Sequence, residues 1–154
     1  MTSRARLGID LGSVRIGVAV CPGNTQLAMP VETVSRGDGD LNRISAIARE
    51  RDAEIIFIGD PITLAGKVEQ AAKAAREFAA ELAAHLPEVE IRMVDERLTT
   101  AESARSLAAA GRDTRNARRV IDQAAAVSIL QNAVDTEVTT GARAGTRVQQ
   151  ERDE

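Results

Sequence analysis

Several acidic side chains in this sequence stand where a strand or helix would ordinarily show an apolar residue. Asp10 lies inside the apolar run RLGIDLGSVRIGVAV, Asp60 follows the apolar run in FIGDP, Asp95 and Glu96 fall in VDERLTT, and Asp122 sits in RRVIDQAAAVSIL. A carboxylate removed from water without a partner costs free energy, so each needs a hydrogen-bond donor, a basic neighbour or a metal ion. Repelling carboxylates gathered at neutral pH imply a hard divalent cation, and Mg²⁺ and Mn²⁺ prefer oxygen ligands and keep waters. Two such ions, about 3.5 to 4 Å apart, activate a water and stabilise the leaving oxygen in phosphodiester hydrolysis. That chemistry needs no covalent nucleophile, which suits a chain with no tyrosine, one histidine and one cysteine.

Taken singly, each acid has a plainer account. Asp10 beside a glycine reads as a turn residue, and Asp60 before Pro61 is a common turn pair. Asp95 and Glu96 can pair with Arg97, and Asp122 can favour the first turns of its helix through the helix dipole. Their joint occurrence at strand ends is what favours a site, because functional groups in α/β sheets gather beyond the carboxyl ends of the strands. His85 reads as a surface residue at a helix end, and Cys21 as a small buried filler; neither is assigned a role.

The elements that must position these acids follow from the apolar periodicity. Residues 6 to 20 read as two strands joined by a tight turn at Gly12 and Ser13, and residues 27 to 34 as a third, with Pro30 best tolerated at a sheet edge. Leu41, Ile44, Ile47 and Ala48 predict a helix over 41–52, and EIIFIG predicts a strand buried on both faces. A helix over 67–85 and a strand over 90–95 come next. Thr99 and Glu102 then have the spacing of a capping box that starts a helix stopped by Gly111. A last helix runs from about residue 119 to 134, and the polar stretch from Thr136 onward is expected to be disordered. The order βββαβαβαα is that of an α/β layered domain, here one domain over 1–135 followed by a tail over 136–154.

Composition limits the function further. With 154 residues, 44% of them hydrophobic, the chain supports one domain with a real core. A lone cysteine permits no internal disulfide, and no apolar run is long enough to span a bilayer, so a soluble cytoplasmic protein is expected. A net charge of −3 does not itself mark a nucleic-acid binder. Yet of 20 basic residues only Lys67 and Lys73 are lysine, and RDTRNARR concentrates Arg112, Arg115, Arg118 and Arg119. Such a run alone reads as a solvated loop; beside an acidic site it becomes a candidate phosphate grip, since the arginine fork donates two hydrogen bonds at once. Phe57 and Phe78, the only aromatics, both read as core, which leaves no platform for stacking bases.

The motifs GIDLGSVRIGVAV, IGDPITLAG, VDERLTTAES and VIDQAAAVSILQ resemble, in order and spacing over residues 6 to 135, the YqgF/RuvX family of Holliday junction resolvases and pre-16S ribosomal RNA nucleases. The resemblance implies a ribonuclease-H-like fold: a five-stranded mixed sheet ordered 3-2-1-4-5, strand two antiparallel, with helices on both faces. It also implies an acidic metal-binding triad, carried here by Asp10, Glu96 and Asp122, using Mg²⁺ or Mn²⁺. Arg97, Arg112, Arg115, Arg118 and Arg119 are then candidates to hold a nucleic-acid backbone, either a precursor rRNA or a four-way DNA junction. Symmetric resolution of a junction would favour a homodimer. The family usually has GLP where this chain has Gly59, Asp60 and Pro61, so Asp60 is an extra acid and a candidate fourth ligand.

Two other classes of function compete. A phosphate-binding domain of the actin and Hsp70 type shares the Asp-x-Gly turn but needs two related halves, and this chain has no internal repeat. A non-catalytic RNA-binding or ribosome-assembly factor on the same fold is distinguished from the nuclease only by activity.

Overall fold

In the computed structural model the described residues are 4–61, 66–96 and 114–148, with the side chains of 66–68 and 114–120 left aside. The chain opens with a three-stranded antiparallel meander, β1 (Ala5–Leu11), β2 (Arg15–Cys21) and β3 (Met29–Ser35). Helix α1 (Asp40–Glu50) leads to β4 (Ala53–Asp60), α2 (Gly66–His85) to β5 (Glu90–Asp95), and α3 (Thr114–Thr140) to the short β6 (Thr146–Arg147). The sheet order is β3-β2-β1-β4-β5-β6, with β4 parallel to both β1 and β5. The carboxyl ends of β1, β4 and β5 therefore lie side by side.

Side chains alternate between the two faces of a strand, and that alternation divides the core in two. Leu7, Ile9, Ile16, Val18, Ile56 and Ile58 face α1 and α2, packing against Ile44, Ile47, Phe78 and Leu82. Ala19, Cys21, Ile55 and Phe57 face α3, packing against Ala125, Ala126, Ile129, Leu130 and Ala133. The result is a helix–sheet–helix sandwich. Strand β4 is buried on both faces, as its unbroken apolar run predicts. Pro30 sits in the edge strand β3, next to a register shift between Val18 and Ala19 on β2, where its missing N–H costs least.

Two features depart from the sequence reading. The helix expected to end near Val134 continues to Thr140, and Thr146–Arg147 adds a sixth strand antiparallel to Arg92 and Met93. Both fall in the stretch expected to carry no structure. Two isolated apolar residues, Ala144 and Val148, pack against the core, and polar contacts supply the rest: Arg92 donates from Nε to the Ala144 carbonyl and from Nη2 to the Gly145 carbonyl, each at 2.7 Å. Arg143 adds ion pairs to Glu54 at 3.5 Å and Glu90 at 3.4 Å. The capping box at Thr99 and Glu102, with its helix up to Gly111, lies outside the described residues.

Candidate active site

Asp10 lies near the carboxyl end of β1, 7% exposed, and by strand alternation its side chain shares the α3 face with Gly8. Its antiparallel partner on β2 is Gly17. Continuing the parallel register one residue beyond Ile9 and Ile58 sets Gly59 of β4 on its other side. Each of these glycines sits beneath one of the other expected ligands. A Cβ on Gly17 would collide with the carbonyl oxygen of Asp122, so the α3 backbone rests directly on β2 at this point. A Cβ on Gly59 would lie 3.6 Å from Oε2 of Glu96 and 2.6 Å from Cδ1 of Ile129. Asp10 is thus flanked in the sheet by the two positions over which Asp122 and Glu96 stand.

Around Asp122 and Gln123, α3 is fixed by polar contacts to the meander. Arg15 donates from Nε to Oδ2 of Asp122 at 3.2 Å, and Gln123 donates from Nε2 to Oγ1 of Thr33 at 3.0 Å. Arg15 was not singled out in the sequence, yet the period-two pattern of β2 puts it on the same face as Gly17, Ala19 and Cys21. An arginine sharing that face one step from the glycine opposite Asp10 was the available signal.

Hard oxygen donors of this kind suit Mg²⁺ or Mn²⁺, and the backbone brings three of them around one row of the sheet. The side chains themselves are less gathered. Among the described residues no three His, Cys, Asp or Glu side chains stand close enough together to hold one ion, and the Asp122 carboxylate is engaged by Arg15.

Asp60 faces the other way. It is 6% exposed, accepts a hydrogen bond from Nε of Arg76 on α2 at 3.2 Å, and lies on the α1/α2 side of the sheet, across from Asp10. Arg97 and Arg112 lie outside the described residues. Arg115, Arg118 and Arg119 fall in the first turns of α3, immediately ahead of Asp122.

A mixed sheet with β2 antiparallel, acids at neighbouring strand ends and a C-terminal helix lying across the meander defines the ribonuclease-H-like class of folds. The same fold is present in Thermus thermophilus RuvC in complex with a Holliday junction substrate, at a TM-score of 0.60 and 12% identity, covering 94% of this chain and 99% of that one. Another Thermus thermophilus RuvC structure matches at a TM-score of 0.51 with the same coverage. The chain belongs to the RuvX Holliday junction resolvase family, whose model matches residues 4–136. Relatives named "Putative pre-16S rRNA nuclease" include one from a Nocardioides species, 47% identical over 97% of this chain and 99% of its own length. Another, from Thermobifida fusca, is 46% identical over 91% of this chain and 92% of its own length. The chain is therefore a nuclease by family, and among the described residues no helix is long and apolar enough to cross a membrane.

Proposed function

We propose that this chain is a divalent-metal-dependent endonuclease of structured nucleic acid whose ions are held by Asp10, Glu96 and Asp122. The observation that carries this is the pair of glycines flanking Asp10, Gly17 and Gly59, which let Asp122 and Glu96 come down on either side of it. A bound Mg²⁺ or Mn²⁺ would supply Lewis-acid stabilisation of the developing charge and an acidified water. The chain's own residues set the place and the charge: Asp10 from within the sheet, Glu96 beyond β5, Asp122 on the docked helix. Arg15 neutralises one of the three acids, which reduces the repulsion among them when no cation is present. Asp60, on the opposite face and paired with Arg76, stands outside this set.

The names of the family and of its relatives favour two substrates, pre-16S rRNA and the Holliday junction; processing at the 5′ end of the rRNA precursor, in the cytoplasm, is part of the proposal. Arg97, Arg112, Arg115, Arg118 and Arg119 are proposed to hold the phosphate backbone, and a homodimer would set two sites on a symmetric junction. A non-catalytic RNA-binding role is favoured by one observation, the Arg15–Asp122 pair, which occupies a carboxylate that a metal would need.

The test is cleavage of an end-labelled four-way DNA junction, a matched duplex and a 16S rRNA precursor, each with Mg²⁺, with Mn²⁺ and with chelator, by wild type and by Asp10→Asn. Metal-dependent cutting lost in the variant is the expected result, and the member cut names the substrate. No cutting of any member, with RNA binding undiminished in Asp10→Asn, would replace the nuclease with the assembly factor.

A further inference from the structure

Arg6 is the one buried arginine among the described residues, 9% exposed, and no carboxylate pairs with it among them. Its Nη2 donates to the Thr25 carbonyl at 2.7 Å and to Sγ of Cys21 at 3.3 Å, and its buried Nε has no hydrogen-bond partner. Elsewhere the partly buried arginines have acids: Arg15 has Asp122 and Arg92 has Glu90. A guanidinium stays charged at any physiological pH, so its burial without a counter-charge is costly unless an anion comes to it.

Arg6 lines a cavity of 480 Å³ together with Gly23, Asn24, Thr25 and Gln26, none of them acidic. The turn is built in place. Thr25 N donates to the Pro22 carbonyl at 3.0 Å, and Gln131 of α3 clamps the segment beyond it, donating to the Gln26 carbonyl and accepting from the Ala28 N–H, both at 2.9 Å. A second cavity beyond Gly23 is lined by Arg4 and Arg51 as well as Glu50 and Asp52, and Arg4 is already paired with Asp52 at 3.1 Å, so the acid-free lining is on the Arg6 side.

We propose that Arg6 and the Pro22–Gln26 turn form a phosphate-binding site separate from the acidic one. With Nη2 held by the Thr25 carbonyl and Cys21, the guanidinium supplies the positive charge and its remaining donors, and the Asn24 and Gln26 amides bring further uncharged donors. Arg6 and Asp10 share one face of β1 at about 13 Å along the strand. Leu130 of α3 lies between them, its Cβ 2.5 Å from where a Cβ on Gly8 would be, so the two sites open on different sides of the helix. The ligand is either inorganic phosphate or a phosphate of a nucleic-acid backbone, and the site stands whether or not the chain cleaves.

The experiment is a titration of the full chain with inorganic phosphate at constant ionic strength, followed by the backbone amide resonances of residues 23–26 and by Tm. A short RNA duplex forms a second arm. Saturable shifts confined to this turn with phosphate alone assign a free anion; shifts with the duplex only assign a backbone phosphate. Asn24→Asp places a negative charge on the exposed turn without touching the core, and is expected to weaken binding at least tenfold at unchanged Tm in phosphate-free buffer. Arg6→Gln, where it folds, is expected to abolish the response. Amides unmoved by both ligands, or an equal response in Asn24→Asp, overturns the site.

Discussion

Asp10 and Asp122 stand out as residues, because a carboxylate inside an apolar run is conspicuous whatever the fold, whereas Glu96 is singled out from its neighbour Asp95 only by the family resemblance. What the sequence did not contain was their spacing, which depends on how far α3 descends onto the sheet. Gly17 sets that depth: any side chain there strikes the Asp122 backbone. Gly17→Ala is therefore expected to cost about 1–3 kcal/mol of stability, as overpacking does, measured by urea unfolding. Activity should fall further than stability accounts for, since the helix that lifts carries a proposed ligand. A variant that loses stability but cleaves at the wild-type rate under native conditions would separate the glycine from the site. Asp60 shows the opposite limit of sequence reasoning. Its position after β4 was plain, but the face it takes follows from counting strand alternation from Gly59, and Arg76 claims it. Asp60→Asn is expected to leave Mn²⁺ affinity and cleavage unchanged while removing the Arg76 ion pair, as isothermal titration and the cleavage assay would show.

The apolar elements could be read from their periodicity, and the polar ones could not. Strand β4 and the core stretch of α3 announce themselves through unbroken or helically spaced apolar residues. The extension to Thr140 and strand β6 rest on Arg92, Arg143 and backbone pairing, which leave no hydrophobic pattern. Arg92→Ala is expected to release this edge. The Val148 amide, which donates to the Ile91 carbonyl at 2.8 Å, should lose hydrogen-exchange protection while the amides of β1 and β4 keep theirs. Helix α1 is tied to β3 by a forked pair, Arg43 to Glu32 at 2.9 and 2.6 Å. The hydrogen bond from Arg43 holds the Glu32 carboxyl below its ordinary value of 4.5, outweighing its partial burial. A lowered folded-state value means a stabilisation fully present above pH 4.5 and lost as the pH falls through the folded value. The Tm difference between wild type and Glu32→Gln should accordingly be steady near neutrality and shrink below pH 4.5; a difference that grows on acidification would contradict the pairing.

At the scale of the whole molecule, charge is distributed against its sum. The net charge is −3, yet four of the arginines lie within eight residues, three of them in the first turns of α3, ahead of its proposed ligand Asp122. Nucleic-acid binding should weaken steeply with salt, and Arg118→Ala should lower the slope of log K against log salt by about 1 if that side chain meets a phosphate. A flat salt response would remove the arginine cluster from the binding surface. The contact between Arg15 and Asp122 spans 107 residues, the helix settling last onto strands made first. On the proposed ligand set, a chain still emerging from the ribosome carries Asp10 for most of its synthesis without Asp122. A copy truncated before that helix would then be silent, however well its strands had formed.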